Sequence, residues 1–467
     1  MICRTSVSLS VLPTLILAAV TLAADASNPV GRADLARAEA HPSVPRLVVD
    51  GQECVMLSRA FALMRGAIVT EPAYGFTEPF FPPGAAYGRN WWQLDSSTVL
   101  EAWKWCDFGF CKRLIENFRK VQCPDGRIPL WGCDRLANSP HHSRQKTNVS
   151  SLPALFKTAH SLATMANDPE FARRMYELNS RYLGWWRSNR VDRTSGLVSS
   201  VFEETFPPWL GVSGEYAGVD TGVLVALGAE WTAEIADSLG RDAEAADLRA
   251  FSARTFAAMR ERMWDGESGL FRPYRFATST LDFESAEGFY MFADRNLDVG
   301  RRAALLRSLT GPRFAWGRMP LASMAVDSPH YTNTVGRAYQ ANASWSGNVW
   351  SLINRWTVHA LLRAGCEREA VELARATKRM IDRAGTFDEF YLTTDGSAQG
   401  GEKYLWTAAD YAILVIEDLL GISYDGKAGE LRVRPRVKAD FRLENLSLPD
   451  GSRVTVSCVG GKVTVRF

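Results

Sequence analysis

The sequence predicts an all-α fold, a closed (α/α)6 barrel of helical hairpins that carries a small C-terminal antiparallel β appendage. Apolar residues recur at spacings of three and four from Trp92 to Leu420, and short turns join the resulting helices into roughly six hairpins. No sequence repeat of fixed length is visible, which disfavours an open solenoid and favours closure into a toroid. Residues 423–467 change to a period of two with Pro and Gly turns, as in β-strands.

The chain divides into four segments by composition and periodicity. Arg4, an apolar run at 11–22 and the small residues after it predict a cleaved signal peptide, and therefore a secreted, periplasmic or lumenal protein. A loop-rich segment follows, with one helix around 54–64 and a loop at 71–90 that is suited to wall a cleft. The predicted segments are 1–26 (signal peptide), 27–90 (loop-rich), 91–422 (barrel) and 423–467 (β appendage).

Eleven segments carry the helical periodicity in the barrel. Two examples of the short turns between them are Gly240-Arg241-Asp242 and Gly365-Cys366-Glu367. The predicted helices are 97–105, 110–121, 152–166, 169–186, 220–239, 242–263, 285–292, 299–309, 343–364, 367–384 and 404–420.

Composition narrows the class of function. The formal net charge of the 467 residues is +2, which gives no basis for binding nucleic acid or an anionic membrane surface. No run after the N-terminus is long and apolar enough to span a membrane. The 15 Trp residues and the aromatic content of 11% are high and favour a cleft that binds sugars.

Cysteine usage predicts a disulfide rather than a metal site. Of the eight cysteines Cys3 leaves with the signal peptide, and Cys106, Cys111, Cys123 and Cys133 lie close together in the sequence. We expect at least one disulfide among these four if the chain is exported. Their irregular spacing and the lack of a CxxC pair disfavour zinc, so we expect no metal.

The stretch from Thr386 to Ala412 is the strongest candidate for a functional segment. It places Glu389 and Tyr391 in an acidic, aromatic sequence, followed by a Gly-rich loop and a helix that contains Trp406. Aromatic rings stack on sugar faces, and a partly desolvated carboxylate serves as an acid or a base. The alternative is a solvated acidic loop in front of a core helix.

Three further clusters combine aromatic and polar residues. In the first, Trp92, Gln93 and Asp95 stand at a helix start, where Asp95 is either an N-cap or a substrate ligand. The second is the stiff loop 200–209, which holds Glu203, Glu204 and Trp209; a buried carboxyl there would have the raised pKa of a general acid, unless the loop is a solvated turn. In the third, Trp345 and Gly347 precede a helix whose Trp350 suits the core.

Four motifs in this order resemble those of the six-hairpin glycosidases over residues 90–422, within the group that holds glycoside hydrolase family 63, mannosylglycerate hydrolase and trehalase. They are Trp92-Gln-Leu-Asp-Ser96, Asp125-Gly-Arg-Ile-Pro129, Trp345-Ser-Gly-Asn-Val-Trp350, and Glu389-Phe-Tyr with Trp406-Thr-Ala-Ala. The resemblance implies an (α/α)6 barrel, inverting hydrolysis of a carbohydrate substrate and no organic cofactor.

The resemblance also implies roles for single residues. It places Asp95 in the subsite of the cleaved sugar and Glu389 at the position of the base. The family's acid motif is altered: with Trp209 as the anchor, Glu204 takes the position of the acid, and Glu203 is the alternative. The small Ser-Gly pair of that motif is missing, and Ser346 replaces an Arg.

We therefore expect an inverting glycosidase that cleaves an α-linked small glycoside or an oligosaccharide end. The substrate would contact Trp92, Gln93, Asp95, Trp209, Trp345, Gly347, Tyr391 and Trp406. The departures from the family motifs keep open a carbohydrate-binding pseudoenzyme, and the shared toroid keeps open an α-L-rhamnosidase-like or lyase-type enzyme.

Overall fold

The computed structural model describes residues 44–132, 149–201, 203–206, 216–333 and 345–467. Helices dominate the chain up to Leu419, and the longer strands lie near its two ends. The longer helices are Val55–Gly66, Gln93–Trp103, Phe108–Leu114, Glu116–Val121, Leu155–Ala166, Pro169–Asn189, Val219–Ser238, Asp242–Arg262, Val299–Thr310, Ser351–Arg363, Glu367–Ala384 and Leu405–Ile413, with a 3₁₀ helix at Ala286–Ala293 and a π-helical turn at Leu414–Leu419.

Six of these helices form a closed inner ring. Each one packs against the next, and the last packs against the first, so the arrangement fits an (α/α)6 barrel. Their apolar faces meet in one continuous core. In ring order they are Gln93–Trp103, Leu155–Ala166, Val219–Ser238, Ala286–Ala293, Ser351–Arg363 and Leu405–Ile413.

The outer helices pack on the backs of the inner ones. Pro169–Asn189 and Asp242–Arg262 both cover the inner helix Val219–Ser238, and Glu367–Ala384 covers Ser351–Arg363. The predicted helix around 54–64 forms at Val55–Gly66 and packs on Leu405–Ile413. The barrel therefore includes part of the segment that we had assigned to an N-terminal loop region.

The β appendage is built from both ends of the described chain. Its five-stranded antiparallel sheet adds Arg46–Val49 and Gln52–Glu53 to three C-terminal strands, with Leu47 opposite Leu443 in the register. The predicted strand at Glu430–Val433 lies outside this sheet and pairs with Ile422–Asp425. The three C-terminal strands are Phe441–Ser447, Arg453–Val459 and Lys462–Arg466.

The predicted disulfide is not present among the described residues. Cys111 and Cys123 are free thiols, and Cys133 lies outside the described part of the chain. Cys111 is fully buried on a helix that packs on Gln93–Trp103, and burial raises the pKa of its thiol well above the ordinary value. Residues 1–43 with the predicted signal peptide are also outside the description. Within the described helices, none is long and apolar enough to cross a membrane.

A buried lysine links the ends of three inner helices at the barrel end opposite their N-termini. Lys104 Nζ lies 2.9 Å from Glu417 Oε1 and 3.2 Å from Glu101 Oε2, and it donates a hydrogen bond of 2.7 Å to Ser161 Oγ. Burial alone would lower the pKa of Lys104, but the two carboxylates raise it above its ordinary value. The ammonium group therefore stays charged inside the protein and links the helices electrostatically.

Replacing Lys104 with Met should destabilise the barrel. The substitution leaves buried carboxylates without their cation, and breaking a buried pair in this way costs about 3–5 kcal/mol. The matched control is Lys112→Met, because Lys112 forms a partly exposed pair with Asp168 whose loss should cost less than about 1 kcal/mol. Urea unfolding followed by circular dichroism measures both; equal losses for the two variants would contradict this account.

Candidate active site

The predicted site residues within the described chain collect at one end of the barrel. Asp95 lies in the first turn of the inner helix Gln93–Trp103, and Trp345 and Glu389 lie shortly before two other inner helices. Trp345 contacts Trp406 edge to face at 6.2 Å, so the segments before both helices meet. The N-terminal ends of these inner helices therefore carry the three residues, and we refer to the space that they enclose as the funnel.

Glu389 is buried, and its carboxylate is held at both oxygens. Tyr87 donates a hydrogen bond of 2.9 Å to Oε1, and the backbone N–H of Gly401 donates one of 2.9 Å to Oε2. Burial raises the pKa of Glu389 to about 7, although both hydrogen bonds act in the opposite direction. A carboxyl with a fixed orientation and a pKa near neutrality has the properties that a general base requires.

The Gly-rich loop lies close to the Glu389 carboxylate because it has no side chains at two positions. A Cβ at Gly400 would lie 2.8 Å from Glu389 Oε2, and the φ of +75° at this residue also favours glycine. The loop returns from the short hairpin formed by Phe390–Tyr391 and Ala398–Gln399. This close approach lets the N–H of Gly401 reach the carboxylate.

Glu204 forms an ion pair inside the core, and this corrects our assignment of it as the acid. Arg190 donates two hydrogen bonds to it, Nε to Oε2 at 2.6 Å and Nη2 to Oε1 at 2.9 Å. The backbone N–H groups of Ser150 and Val201 add bonds of 2.8 and 3.2 Å. Four hydrogen bonds engage both oxygens of the buried Glu204, so its carboxyl group is already occupied within the protein.

The neighbouring Glu203 has the opposite environment. It is partly exposed, and neither its side chain nor that of Glu389 forms an ion pair with a described residue. Burial, followed by the negative charge of Glu389, raises the pKa of Glu203 to about 7. A carboxyl that carries its proton near neutral pH has the property that a general acid requires.

The backbone of the loop is in the left-handed conformation at Glu203, directly before Glu204. Glu203 has φ +66°, which is uncommon for a residue with a side chain. Its carbonyl accepts a hydrogen bond of 2.9 Å from Leu152 N. The ion pair of Glu204 and the hydrogen bonds of Thr205 and Phe206 to Asp220 fix the chain directly after Glu203 and hold this strained conformation in place.

Asp220 anchors the far side of this loop to an inner helix. Its Oδ1 accepts a hydrogen bond of 2.6 Å from Thr205 Oγ1, and its Oδ2 accepts one of 2.5 Å from Phe206 N. Burial raises the pKa of Asp220 to about 6, and the hydrogen bonds from Thr205 and Phe206 act against this shift. The buried Asp220 therefore positions the loop rather than facing the funnel.

Asp95 is the third carboxyl of the site. It is only 3% exposed, and its Oδ1 has no hydrogen-bond partner among the described residues. Burial raises the pKa of Asp95 well above its ordinary value; a hydrogen bond from Tyr404 opposes this, and the charges of Glu203 and Glu389 add to it. The side chain does not cap the helix, so the N-cap alternative is not what the structure shows.

Gln93 presents an unused donor beside Asp95. Its Oε1 accepts a hydrogen bond of 3.1 Å from Ser151 N, which fixes the amide. The Nε2 group is fully buried and has no partner among the residues that the structure describes. A buried amide donor without a partner costs free energy, so a ligand hydroxyl would be a favourable acceptor.

The predicted aromatic residues divide into two groups. The partly exposed Trp92 packs against Trp131, with ring centroids 4.6 Å apart, and meets Tyr87 edge to face. Trp345, in contrast, is stacked on Trp350 at 3.5 Å and on Phe206 at 4.5 Å, so its faces are covered. Trp92 retains a surface for a sugar ring, whereas Trp345 supports the loop that carries Glu203.

Four further residues were predicted to contact the substrate, and one of them lies outside the described part of the chain. Tyr391 is fully buried and donates a hydrogen bond of 2.9 Å to Thr386 O, which corrects our assignment of it to substrate binding. Gly347, at φ +151°, allows close packing, because a Cβ there would lie 2.3 Å from Thr332 O. Trp406 is buried against Tyr404, with its Nε1 unpartnered among the described residues. Trp209 lies outside the described residues.

Sequence reasoning missed three contributors to the site. Tyr87 was part of a loop that we expected to wall a cleft, but a single tyrosine in a Pro- and Gly-rich loop gives no signal of its partner. Tyr404 was identified only as the start of a helix, and Arg190, which follows the helix Pro169–Asn189, was not singled out at all. Among the described residues, no group of three or more His, Cys, Asp or Glu side chains is placed to hold a metal ion.

Residues 208–407 match the family model described as the mannosylglycerate hydrolase MGH1-like glycoside hydrolase domain. The chain is also 29% identical over 186 residues to a mannosylglycerate hydrolase of Rubrobacter radiotolerans. That alignment covers 40% of this chain, and the chain spans about 40% of the curated relative that it matches.

Solved structures share the fold at low sequence identity. The family 63 mannosylglycerate hydrolase of Thermus thermophilus, in complex with glucose, has a TM-score of 0.63 and 18% identity, over 77% of this chain and 100% of that one. A family 78 rhamnosidase of Bacillus sp. GL1 has a TM-score of 0.59 and 15% identity, over 91% and 41% of the two chains. Together these matches confirm the resemblance to the family 63 glycosidases that the motifs indicated.

The two adjacent glutamates should respond oppositely to amide substitution. Glu204→Gln leaves the buried Arg190 without its carboxylate and should lower the free energy of unfolding by about 3–5 kcal/mol. Glu203→Gln should raise stability at pH 8 relative to wild type. The folded-state pKa of Glu203, about 7, lies above the ordinary 4.5, so ionisation destabilises the fold as the pH rises through 7.

Thermal unfolding of both variants at pH 5 and pH 8 tests this pair. The gain of Glu203→Gln should be larger at pH 8 than at pH 5, because the penalty for the raised pKa accumulates as the pH rises from the unfolded to the folded pKa. Greater destabilisation by Glu203→Gln than by Glu204→Gln would contradict the environments described.

Proposed function

We propose that the protein is a glycoside hydrolase that cleaves an α-linked small glycoside or oligosaccharide end with inversion. The observation that carries the proposal is the pair formed by Glu203 and Glu389. They come from loops 186 residues apart in sequence, each has a pKa raised to about 7, and the charge of Glu389 raises the pKa of Glu203. General acid and base catalysis at neutral pH requires such a pair.

The surroundings of the two carboxyls assign their roles in this proposal. Two hydrogen bonds from Tyr87 and Gly401 favour the charged form of Glu389, so Glu389 is the base that activates water. The charge of Glu389 favours the neutral form of Glu203, so Glu203 is the acid that protonates the departing oxygen. Inversion requires room for a water and therefore a separation of roughly 6.5–9.5 Å between the two carboxyl groups.

Asp95, Gln93 and Trp92 would bind the sugar. The free Oδ1 of Asp95 is an acceptor for a sugar hydroxyl, and the free Nε2 of Gln93 is a donor for another. The partly exposed Trp92 offers a ring for stacking on the apolar face of the sugar. The charges of Glu203 and Glu389 act on Asp95, so a sugar bound by Asp95 would lie close to both proposed catalytic carboxyls.

The identity of the substrate follows only by comparison. The relatives that match are mannosylglycerate hydrolases, so mannosylglycerate is the first compound to test, beside aryl α-glycosides. The small Ser-Gly pair that the family carries in its acid loop is absent here, and Ser346 replaces an arginine. These two changes support a substrate that differs from that of the relatives.

We further propose export through the N-terminal signal peptide at 1–26, which predicts a secreted, periplasmic or lumenal enzyme. N-terminal sequencing of the mature protein tests this, and an intact Met1 in the exported protein would contradict cleavage.

A carbohydrate-binding pseudoenzyme is the second candidate function. The same two motif changes favour it, since a binding protein keeps sugar ligands but needs no family acid motif. An α-L-rhamnosidase-like or lyase-type reaction is a third candidate, because the fold is shared with a rhamnosidase. Hydrolysis of a set of aryl glycosides of different sugars, with the anomer of the released sugar followed by NMR, distinguishes the three candidates.

Glu203→Gln and Glu389→Gln should have different effects on rate. Loss of the acid should lower kcat/KM by about 10²–10⁴-fold on substrates with poor leaving groups and much less on activated aryl glycosides. Loss of the base should impair all substrates alike, because every turnover needs the water. Stopped assays on an alkyl and a nitrophenyl glycoside of the same sugar measure the difference; full activity of either variant on the alkyl glycoside would overturn its role.

The pH dependence of kcat/KM should be bell-shaped around neutrality. Activity should fall below the pKa of the base, as Glu389 becomes protonated, and above the pKa of the acid, as Glu203 loses its proton. With an activated aryl glycoside, the Glu203→Gln enzyme should keep the acidic limb of the profile and lose the alkaline limb. Loss of the acidic limb instead would exchange the two roles.

A further inference from the structure

A second pocket lies on the outer surface of the barrel, between the helix Glu367–Ala384 and the turn that contains Trp316. Its volume is about 260 Å³. The lining combines an apolar floor, to which Trp316, Met319 and Met380 contribute, with three arginines at the rim. None of these residues belongs to the catalytic funnel, and nothing in the proposed mechanism uses them.

The rim is strongly positive. Arg318, Arg379 and Arg383 are exposed, and none of the three forms an ion pair with another described residue. Glu372 is the single carboxylate among the lining residues that the structure describes. Arg383 lies in the last helical turn, where a cation also stabilises the helix dipole, but Arg318 and Arg379 have no such structural reason.

Another pocket of similar size shows the contrast. It measures about 240 Å³ and is also lined by arginines. There, however, Arg313 pairs with Glu284 and Asp327, and Arg272 pairs with Asp265. Its positive charge is neutralised within the protein, whereas the arginines of the pocket beside Trp316 are left for a ligand.

We propose that the Trp316 pocket binds one pyranose unit that bears a carboxylate or a sulfate ester. Guanidinium groups form paired, charge-assisted hydrogen bonds with such planar or multidentate oxyanions. The tryptophan ring and the methionine side chains suit the C–H face of a sugar. The volume is below the roughly 300–1,000 Å³ of sites for drug-sized ligands, which fits a single ring.

The pocket adjoins the segment that carries the proposed base. A Cβ at Gly396 would lie 2.9 Å from Met319 Cε and 3.2 Å from Met380 Cγ, so the floor of the pocket packs on this residue. Gly396 lies in the turn between the strands Phe390–Tyr391 and Ala398–Gln399. This hairpin directly follows Glu389. Met319 and Met380 line the pocket itself, so their methyl groups are local reporters for binding there.

The test is a titration of protein labelled with ¹³C at its methionine methyl groups, followed by NMR. The probes are methyl glucuronide, methyl glucoside 6-sulfate, neutral methyl glucoside and inorganic sulfate. We expect saturable shifts of Met319 and Met380 with one or both charged sugars, and affinity weaker by about tenfold or more for the neutral sugar. Comparison of the uronide with the sulfate ester identifies the oxyanion.

Variants distinguish specific binding in the pocket from a general effect of positive surface charge. The double variant Arg379→Gln/Arg383→Gln should lower affinity for the charged sugar by about tenfold or more, whereas Arg375→Gln on the same helix, outside the pocket, should not. Trp316→Ala should weaken binding of the sugar but not of inorganic sulfate. Equal effects of Arg375→Gln, equal binding of the neutral sugar, or sulfate binding as tightly as the charged sugars would each overturn the proposal.

Hydrolytic activity on a small neutral glycoside provides an independent readout. It should be unchanged in the Arg379→Gln/Arg383→Gln variant, because the pocket holds none of the groups in the proposed mechanism. An inactive wild-type protein would end the proposed hydrolysis without affecting the titration, so the two proposals fail separately.

Discussion

The site depends on the buried ion pair between Arg190 and Glu204. It satisfies both oxygens of one glutamate inside the core and fixes the loop at that point. With Glu204 held inward, the left-handed conformation at Glu203 turns the adjacent side chain to a different environment. One loop thus holds a glutamate that is ion-paired inside the core next to a second glutamate whose pKa is raised to about 7.

The three carboxyl groups at the funnel also differ from one another in their surroundings. Asp95, Glu203 and Glu389 are each desolvated, and the charge of Glu389 raises the pKa of both other carboxyls. Hydrogen bonds distinguish the three: Glu389 receives two, Asp95 keeps one oxygen free, and Glu203 faces only the repulsion. Such clustering destabilises the fold at alkaline pH, a cost that functional sites commonly carry.

Much of the architecture could be predicted from the sequence, since long periodic helices and the lack of a repeat favour a toroid. Boundaries were less predictable: Gln93–Trp103 begins four residues before the predicted 97, because the Trp91–Trp92 pairing with Trp131–Gly132 ends there. The predicted C-terminal appendage also recruits two N-terminal strands. Pairing between chain ends is a long-range contact that local patterning does not encode.

The site was predictable in its segments but not in its orientations. Residue type and spacing identified Asp95 and Glu389, whereas the choice between Glu203 and Glu204 depended on Arg190, which the sequence does not place beside them. The family's acid motif, matched with Trp209 as the anchor, favoured Glu204. This match assumes that the loop has the same conformation as in the family. Trp345 and Tyr391 were assigned to the substrate from their composition, but stacking on Phe206 and a hydrogen bond to Thr386 hold them in the scaffold.

The most direct test of this account is ¹³C NMR of the glutamate carboxyl groups during a pH titration of the intact protein. We predict two resonances with apparent pKa values near 7, one from Glu203 and one from Glu389, of which Glu203→Gln removes one and Glu204→Gln removes neither. If Glu204→Gln instead removes one of them and Glu203→Gln removes neither, the proton is on the other glutamate of the loop and the proposed acid is misassigned.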